Sequence, residues 1–218
     1  MKNIIKKVKK SLVMILTNNG KGTGFLIDKK GTIFTCAHNI INQQTGGLAE
    51  NIRITHKNII YHILPKNVLA IDQNYDYAII KIENSKEDFY FLEIDDGFDK
   101  IEDGEKVLFF GYPLNIDYVI THQGIVSSKQ TTDINRTREL NAYQIDRQVI
   151  NGFSGGPLCL EESGTVIGIL AAEVPNQRQV TIQNTTLLIP YSVSMGHAIS
   201  IEYANKKLKE ITSNEQER

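Results

Sequence analysis

The stretch Gly152-Phe153-Ser154-Gly155-Gly156-Pro157-Leu158 places one serine between glycines. Glycine reaches backbone conformations that other residues avoid, so the chain can turn tightly there and leave the hydroxyl exposed. The same turn lets backbone N–H groups converge beside that hydroxyl, where they would stabilise an oxyanion. A serine hydroxyl is a poor nucleophile alone and needs a base and an orienting carboxylate. The fold must therefore bring such groups to the turn from elsewhere, and the chain holds both upstream of it.

The Gly-x-Ser-x-Gly spacing also fits the nucleophile elbow of α/β-hydrolases, in which the acid and then the histidine follow the serine. After Ser154 this chain has no Asp, and its one histidine there is His197. Long helices do not alternate with strands, as that fold requires. Upstream, Thr35-Cys36-Ala37-His38 ends an alternating strand, and Asp76 opens Asp-Tyr-Ala-Ile-Ile-Lys-Ile. The order His, Asp, Ser is that of the chymotrypsin barrels.

Several further motifs follow that order. Gly22-Thr23-Gly24-Phe25-Leu26-Ile27 resembles the Gly-Ser-Gly-Phe strand of trypsin-like proteases of the HtrA/Deg and glutamyl-endopeptidase types. Thr35 to His38 is similar to their strand end carrying the base, and Asp76-Tyr77-Ala78 to their Asp-x-Ala motif. Gly111-Tyr112-Pro113, Gln123-Gly124-Ile125-Val126-Ser127 and Ser154 to Leu158 complete the series, so the resemblance runs from about Ser11 to Ile201. It departs at Phe153, where the family usually has Asn or Asp, and at Cys36.

The resemblance implies an all-β fold of two six-stranded antiparallel β-barrels with a short C-terminal helix. Period-two apolar patterning agrees. Strands are expected at Leu12–Thr17, Thr23–Ile27, Thr32–Cys36, Ile52–Thr55, Ile59–Leu64 running on through Val68–Ile71, and Tyr77–Ile82. The second set is Val107–Gly111, Tyr118–Thr121 continuing to Val126, Tyr143–Asp146, Pro157–Leu160, Thr165–Val174 and Val180–Ile189. Residues 1–218 read as one domain, with barrels at about 11–82 and 106–190. Residues 83–105 carry ten acidic and two basic side chains and read as a solvated linker. Polar residues 127–141 read as a long loop whose ordering by a substrate or partner would set the turn around Ser154. Ile201, Ala204, Leu208 and Ile211 have helical spacing, giving a closing helix at about 195–212. Nothing is left over for the PDZ module that many HtrA-type proteins append.

A hydrophobic fraction of 41% over 218 residues suffices for a sizeable core. The net charge of −1 argues against whole-surface affinity for nucleic acid or an acidic membrane. No apolar run is long enough to span a bilayer. The lysine-rich start, Met1 to Lys10, lacks the features of a signal peptide and reads as a short helix packed on the barrel. Cys36 and Cys159 fall in different barrels on the resemblance and read as buried free thiols, which suits a reducing, cytoplasmic location. No cofactor and no metal are expected. His56 and His62 could share a strand face, but no further ligand joins them.

The resemblance implies a serine endopeptidase acting through an acyl-enzyme. Ser154 is the nucleophile, His38 the base and Asp76 the carboxylate that orients it, with Asp72 as the competing acid. The N–H groups of Gly152 and Ser154 form the oxyanion hole. The substrate pocket is lined by Gln148, Ala171, Ala172, Glu173 and Leu187, with Phe153 at a substrate contact. Gln148, in place of an Asp, points to a medium-sized apolar or polar side chain before the scissile bond. The expected partners are a polypeptide substrate and, as a further candidate, a regulatory protein. The alternative is a catalytically silent barrel that binds peptides or a partner through the same groove.

Overall fold

The structure, a computed structural model, describes residues 1–18, 20–83, 88–132, 139–171, 176–182, 185–191 and 195–216. For residues 132, 176–182, 185–191 and 215–216 it describes the backbone course alone. Helix α1 (Lys2–Lys9) leads into strands β1 (Leu12–Thr17), β2 (Gly20–Leu26), β3 (Thr32–Thr35), β4 (Arg53–His56), β5 (Ile59–His62), β6 (Val68–Asp72) and β7 (Tyr77–Lys81). These form one antiparallel, barrel-like sheet in the order β5-β4-β1-β2-β3-β7-β6. The run expected to be one strand is split into β5 and β6. Pro65 opens a short 3-10 turn, Pro65–Asn67, and cannot donate to a ladder, so the chain bends there from one sheet edge to the other.

The second sheet contains β8 (Lys106–Gly111), β9 (Ile120–Thr132), β10 (Glu139–Ile145), β11 (Pro157–Leu160) and β12 (Val166–Ala171). Beyond β12, β13 (Asn176–Ile182) and β14 (Thr185–Tyr191) pair with each other as a separate ribbon. The sixth barrel strand is β15 (Gly196–Ser200), which pairs with both β10 and β12 and completes a closed barrel. Val180–Ile189 therefore does not fill that place. The closing helix, α2 (Glu202–Gln216), starts after β15 rather than near residue 195. Ala198 and Ile199 are buried in the barrel wall, and burial overrides the helical spacing that begins at Ile201.

Two other expectations are corrected. Ser127–Thr132 and Glu139–Asn141 are not loop but the outer ends of β9 and β10, paired from Glu139↔Thr132 onward. A ladder satisfies their backbone groups whatever the side chains are, so a polar run can still be strand. Residues 83–105 are likewise not merely a solvated linker. Phe89, Leu92, Phe98 and Ile101 are buried, while most of the acidic groups stay at the surface. The backbone is stitched to the first sheet by Leu92 N–H to the Leu26 carbonyl at 2.9 Å. It is stitched to the second by Val166 N–H to the Glu93 carbonyl at 2.8 Å.

The main core lies where the barrels meet. Phe25, Phe34 and Ile79 from the first barrel pack there with Leu108, Cys159 and Ile169 from the second. Val8 of α1 and Ala204 of α2 close the same cluster, with Leu208 and Ile211 packed against it. Asn205 and Lys209 of α2 also hold the Asp96 carboxylate at 2.7 and 2.8 Å, which ties the segment between the barrels, here called the strap, to the helix. No helix among the described residues is long and apolar enough to cross a membrane. Leu92 joins the strap to the shared core, so Leu92→Ala should lower stability by about 2–4 kcal/mol in urea unfolding. A loss below about 0.5 kcal/mol, the usual level of a surface change, would show the strap to be peripheral.

Candidate active site

Register explains why residues distant in sequence meet. Thr35 pairs with Gly24 on one side and Ala78 on the other. The end of β3 therefore lies beside the start of β7 and beside Thr23. His38 follows β3 in a 3-10 turn, Ala37–Asn39, and Asp76 immediately precedes β7. Both side chains leave the same end of the first barrel.

The His38 ring Nδ1 lies 2.7 Å from Asp76 Oδ2, and the His38 backbone N–H donates to Asp76 Oδ1 at 3.0 Å. A carboxylate can only accept, so Nδ1 carries a proton, and in the neutral ring the lone pair is on Nε2, which faces away from Asp76. The two side chains are 34% and 23% exposed, enough to react yet partly shielded from water. Asp76 sits at φ +46, a left-handed conformation uncommon outside glycine. Asp72 supports that turn by accepting from Asn74 N–H at 2.8 Å and Tyr75 N–H at 3.0 Å. Asp72 is thus the turn-forming carboxylate and Asp76 the one bonded to His38.

Cys36 is fully buried behind this pair, and its thiol donates to the Leu170 carbonyl at 3.1 Å. Burial pushes the thiol well above its usual pKa, and the Asp76 charge adds to the effect, so it stays protonated. Ligand atoms of Cys36, His38 and Asp76 lie within 4.8 Å of one another, the one such group among the described residues. Cys36 Sγ and His38 Nδ1 are already proton donors within the network. Cys159 is also free and buried, its thiol raised by burial. His56 and His62 lie at opposite ends of the β4–β5 ladder, His56 opposite Ile59 and His62 opposite Arg53. His56 instead contacts the Lys10 carbonyl at 2.9 Å.

Ser154 lies in the turn before β11, and barrel contacts hold that turn from both sides. From the first barrel, Thr23 N–H and Asn39 Nδ2 donate to the Ser154 carbonyl at 2.9 and 2.8 Å. Asn39 is the chain neighbour of His38, so this contact brings the histidine and the serine to one place. From the second barrel, Gly155 N–H donates to the Leu170 carbonyl at 2.7 Å. Gly155 has φ +82, and a Cβ there would collide with the Thr23 carbonyl and the Thr35 hydroxyl. Gly152 has φ +96, and a Cβ would strike the Tyr112 carbonyl. Neither position accepts another residue in this turn.

The Asn151 carbonyl accepts from Leu114 N–H at 3.3 Å. In a trans peptide the N–H points opposite to the carbonyl, so the Gly152 N–H faces away from Leu114. Among the described residues it donates to no protein acceptor. This geometry leaves it available to a developing oxyanion.

Other sequence-derived site residues fall out differently. Phe153 is 1% exposed and sits in the second barrel's core, edge-on to Phe109 and His122 with ring centroids 6.2 and 5.3 Å away. It is a packing residue rather than a substrate contact, because an aromatic ring here finds an apolar cluster to fill. Gln148 is exposed, and Ala171 ends β12 opposite His197. Leu187 lies on β14 in the separate ribbon, and Ala172 and Glu173 fall outside the described residues. Sequence reasoning missed Thr23, Asn39 and Leu114. Their signals were faint: a threonine between glycines, a polar residue after the histidine, and the residue after Tyr112-Pro113.

His197 is half-buried, and its Nδ1 has no partner among the described residues. Burial pulls it below its ordinary 6.5, while the Asp76 charge partly opposes this. The unfolded chain therefore takes the proton first. The contribution of His197 to stability is present above about pH 6.5 and is lost as pH falls below it. Urea midpoints from about pH 8 to about pH 5 should fall more for wild type than for His197→Gln. Parallel curves would contradict this assignment.

Comparison with known proteins agrees with the fold. Residues 22–169 match the family described as the trypsin-like peptidase domain. The chain is 29% identical over 185 residues to Protease Do-like 1, chloroplastic, of Arabidopsis thaliana, covering 84% of this chain and 36% of that protein. It is 30% identical over 156 residues to the mitochondrial serine protease HTRA2 of Drosophila ananassae, covering 70% of this chain and 34% of the relative. The chain thus spans about a third of the length of these curated relatives. Among solved structures, an HtrA-type protease AlgW variant with a tripeptide aligns at a TM-score of 0.73 and 19% identity. That alignment covers 96% of this chain and 62% of the other.

Proposed function

The chain belongs to the trypsin-like peptidase family, and from that premise we propose that it is a serine endopeptidase acting on extended polypeptide through Ser154, His38 and Asp76. The observation that carries the reading is the His38–Asp76 pair at 2.7 Å, joined through Asn39 to the Ser154 carbonyl.

Ser154 Oγ attacks the scissile carbonyl carbon while His38 Nε2 takes its proton. Asp76 holds the Nδ1–H tautomer and stabilises the imidazolium that forms. The carbonyl oxygen becomes an oxyanion that accepts from Gly152 N–H and Ser154 N–H. The tetrahedral intermediate collapses, the C–N bond breaks, and His38 returns its proton to the leaving amine. Water then attacks the acyl-enzyme with His38 again as base, releasing the acid and Ser154. The strand that carries Ala171 is the one we assign to pairing with extended substrate backbone. Two buried free thiols fit a reducing, cytoplasmic setting.

A fluorophosphonate probe should label wild type at Ser154 and leave Ser154→Ala unlabelled. Asp76→Asn should fold normally yet lose about 10⁴-fold in kcat on a peptide substrate. Equal labelling of wild type and Ser154→Ala, or an Asp76→Asn variant within tenfold of wild type, would refute the assignment.

A further inference from the structure

We infer that the Thr23 hydroxyl is a positioning residue for the oxyanion site, acting across the barrel seam on the Gly152 peptide; the inference rests on the peptidase reading above. Thr23 is fully buried on β2 of the first barrel. Its Oγ1 donates to the Gly152 carbonyl at 2.6 Å and accepts from Tyr112 N–H at 2.9 Å. An amide N–H can only donate and a carbonyl can only accept, so both partners fix the direction of the threonine proton. The hydroxyl thereby joins β2 to two segments of the second barrel, the chain after β8 and the nucleophile turn.

The consequence is specific to Gly152. Its preceding peptide is held by Leu114 N–H on the Asn151 carbonyl. Its following peptide is held by Thr23, with Phe153 N–H closing the turn onto the Ile150 carbonyl at 3.0 Å. A glycine rotates freely about φ and ψ, so it needs an anchor on each side to keep its N–H aimed at one point. Thr23 supplies the anchor on the downstream side. The same residue also holds the downstream end of the turn, through its N–H on the Ser154 carbonyl at 2.9 Å. Threonine's hydroxyl makes both bonds while the rest of its side chain is fully buried.

Thr23→Val keeps shape and β-branching but removes both hydroxyl bonds, whereas Thr23→Ser keeps the bonds and loses the methyl. The valine variant should lose about 10- to 100-fold in kcat with KM changed less than about threefold, and bind a peptide aldehyde correspondingly less tightly. Thr23→Ser should recover kcat to within about threefold of wild type. Thr23→Ala is the companion variant if the valine does not fold, with the same expected direction. A folded valine or alanine variant with wild-type kcat, or a serine variant as damaged as either, overturns the inference. A loss confined to KM overturns it equally. A wild type without turnover refutes the peptidase reading instead. The Gly152 amide shifts in NMR spectra then decide: they should move in Thr23→Val and stay in Thr23→Ser, and unmoved shifts in the valine variant overturn the role.

Discussion

Thr23 and Asn39 reach from the first barrel into the nucleophile turn of the second, and the rest of the site depends on that seam. Two of the turn's carbonyls, those of Gly152 and Ser154, are held by donors from the opposite barrel. Each bond is modest, on the order of 1 kcal/mol net, but an unpaired buried carbonyl would cost more than that. Satisfying these groups and shaping the turn are therefore one requirement. The barrels must be in register with each other before Ser154 can meet His38.

What keeps them in register is apolar. Phe25, Phe34, Leu108 and Ile169 pack in one cluster at the seam, capped by Val8 and Ala204 from the helices at either end of the chain. The strap between the barrels adds Leu92 to the same cluster and bonds to both sheets. A close-packed seam of this kind resists sliding, because any shift opens voids on both sides. The polar network is small and directional; the apolar cluster is large and indifferent to detail. Together they fix the position of the turn and then its conformation.

The family resemblance, with strand periodicity in agreement, made the two-barrel fold legible in the sequence, and chain order with the glycine-flanked serine pointed to His38, Asp76 and Ser154 as the candidate site. These are local or ordered signals. The partners of the turn were not legible, because Thr23 meets Gly152 only through tertiary register, and a buried threonine looks like any strand residue. Phe153 stood out in the sequence as a departure from the family and was read as a substrate contact, whereas its ring is buried against Phe109 and His122 in the second barrel. The strap was misread because ten acidic residues mask the few apolar ones that pack. β15 was missed because its apolar residues run directly into the helical pattern of α2.

A seam that holds the nucleophile turn in place implies that the turn is preorganised in the chain by itself. The most direct measurement is the time course of peptide hydrolysis by the purified chain, with no partner added. The account predicts turnover that is linear from the start and proportional to enzyme concentration. A lag, a steep dependence on enzyme concentration, or turnover only after a second protein is supplied would contradict it.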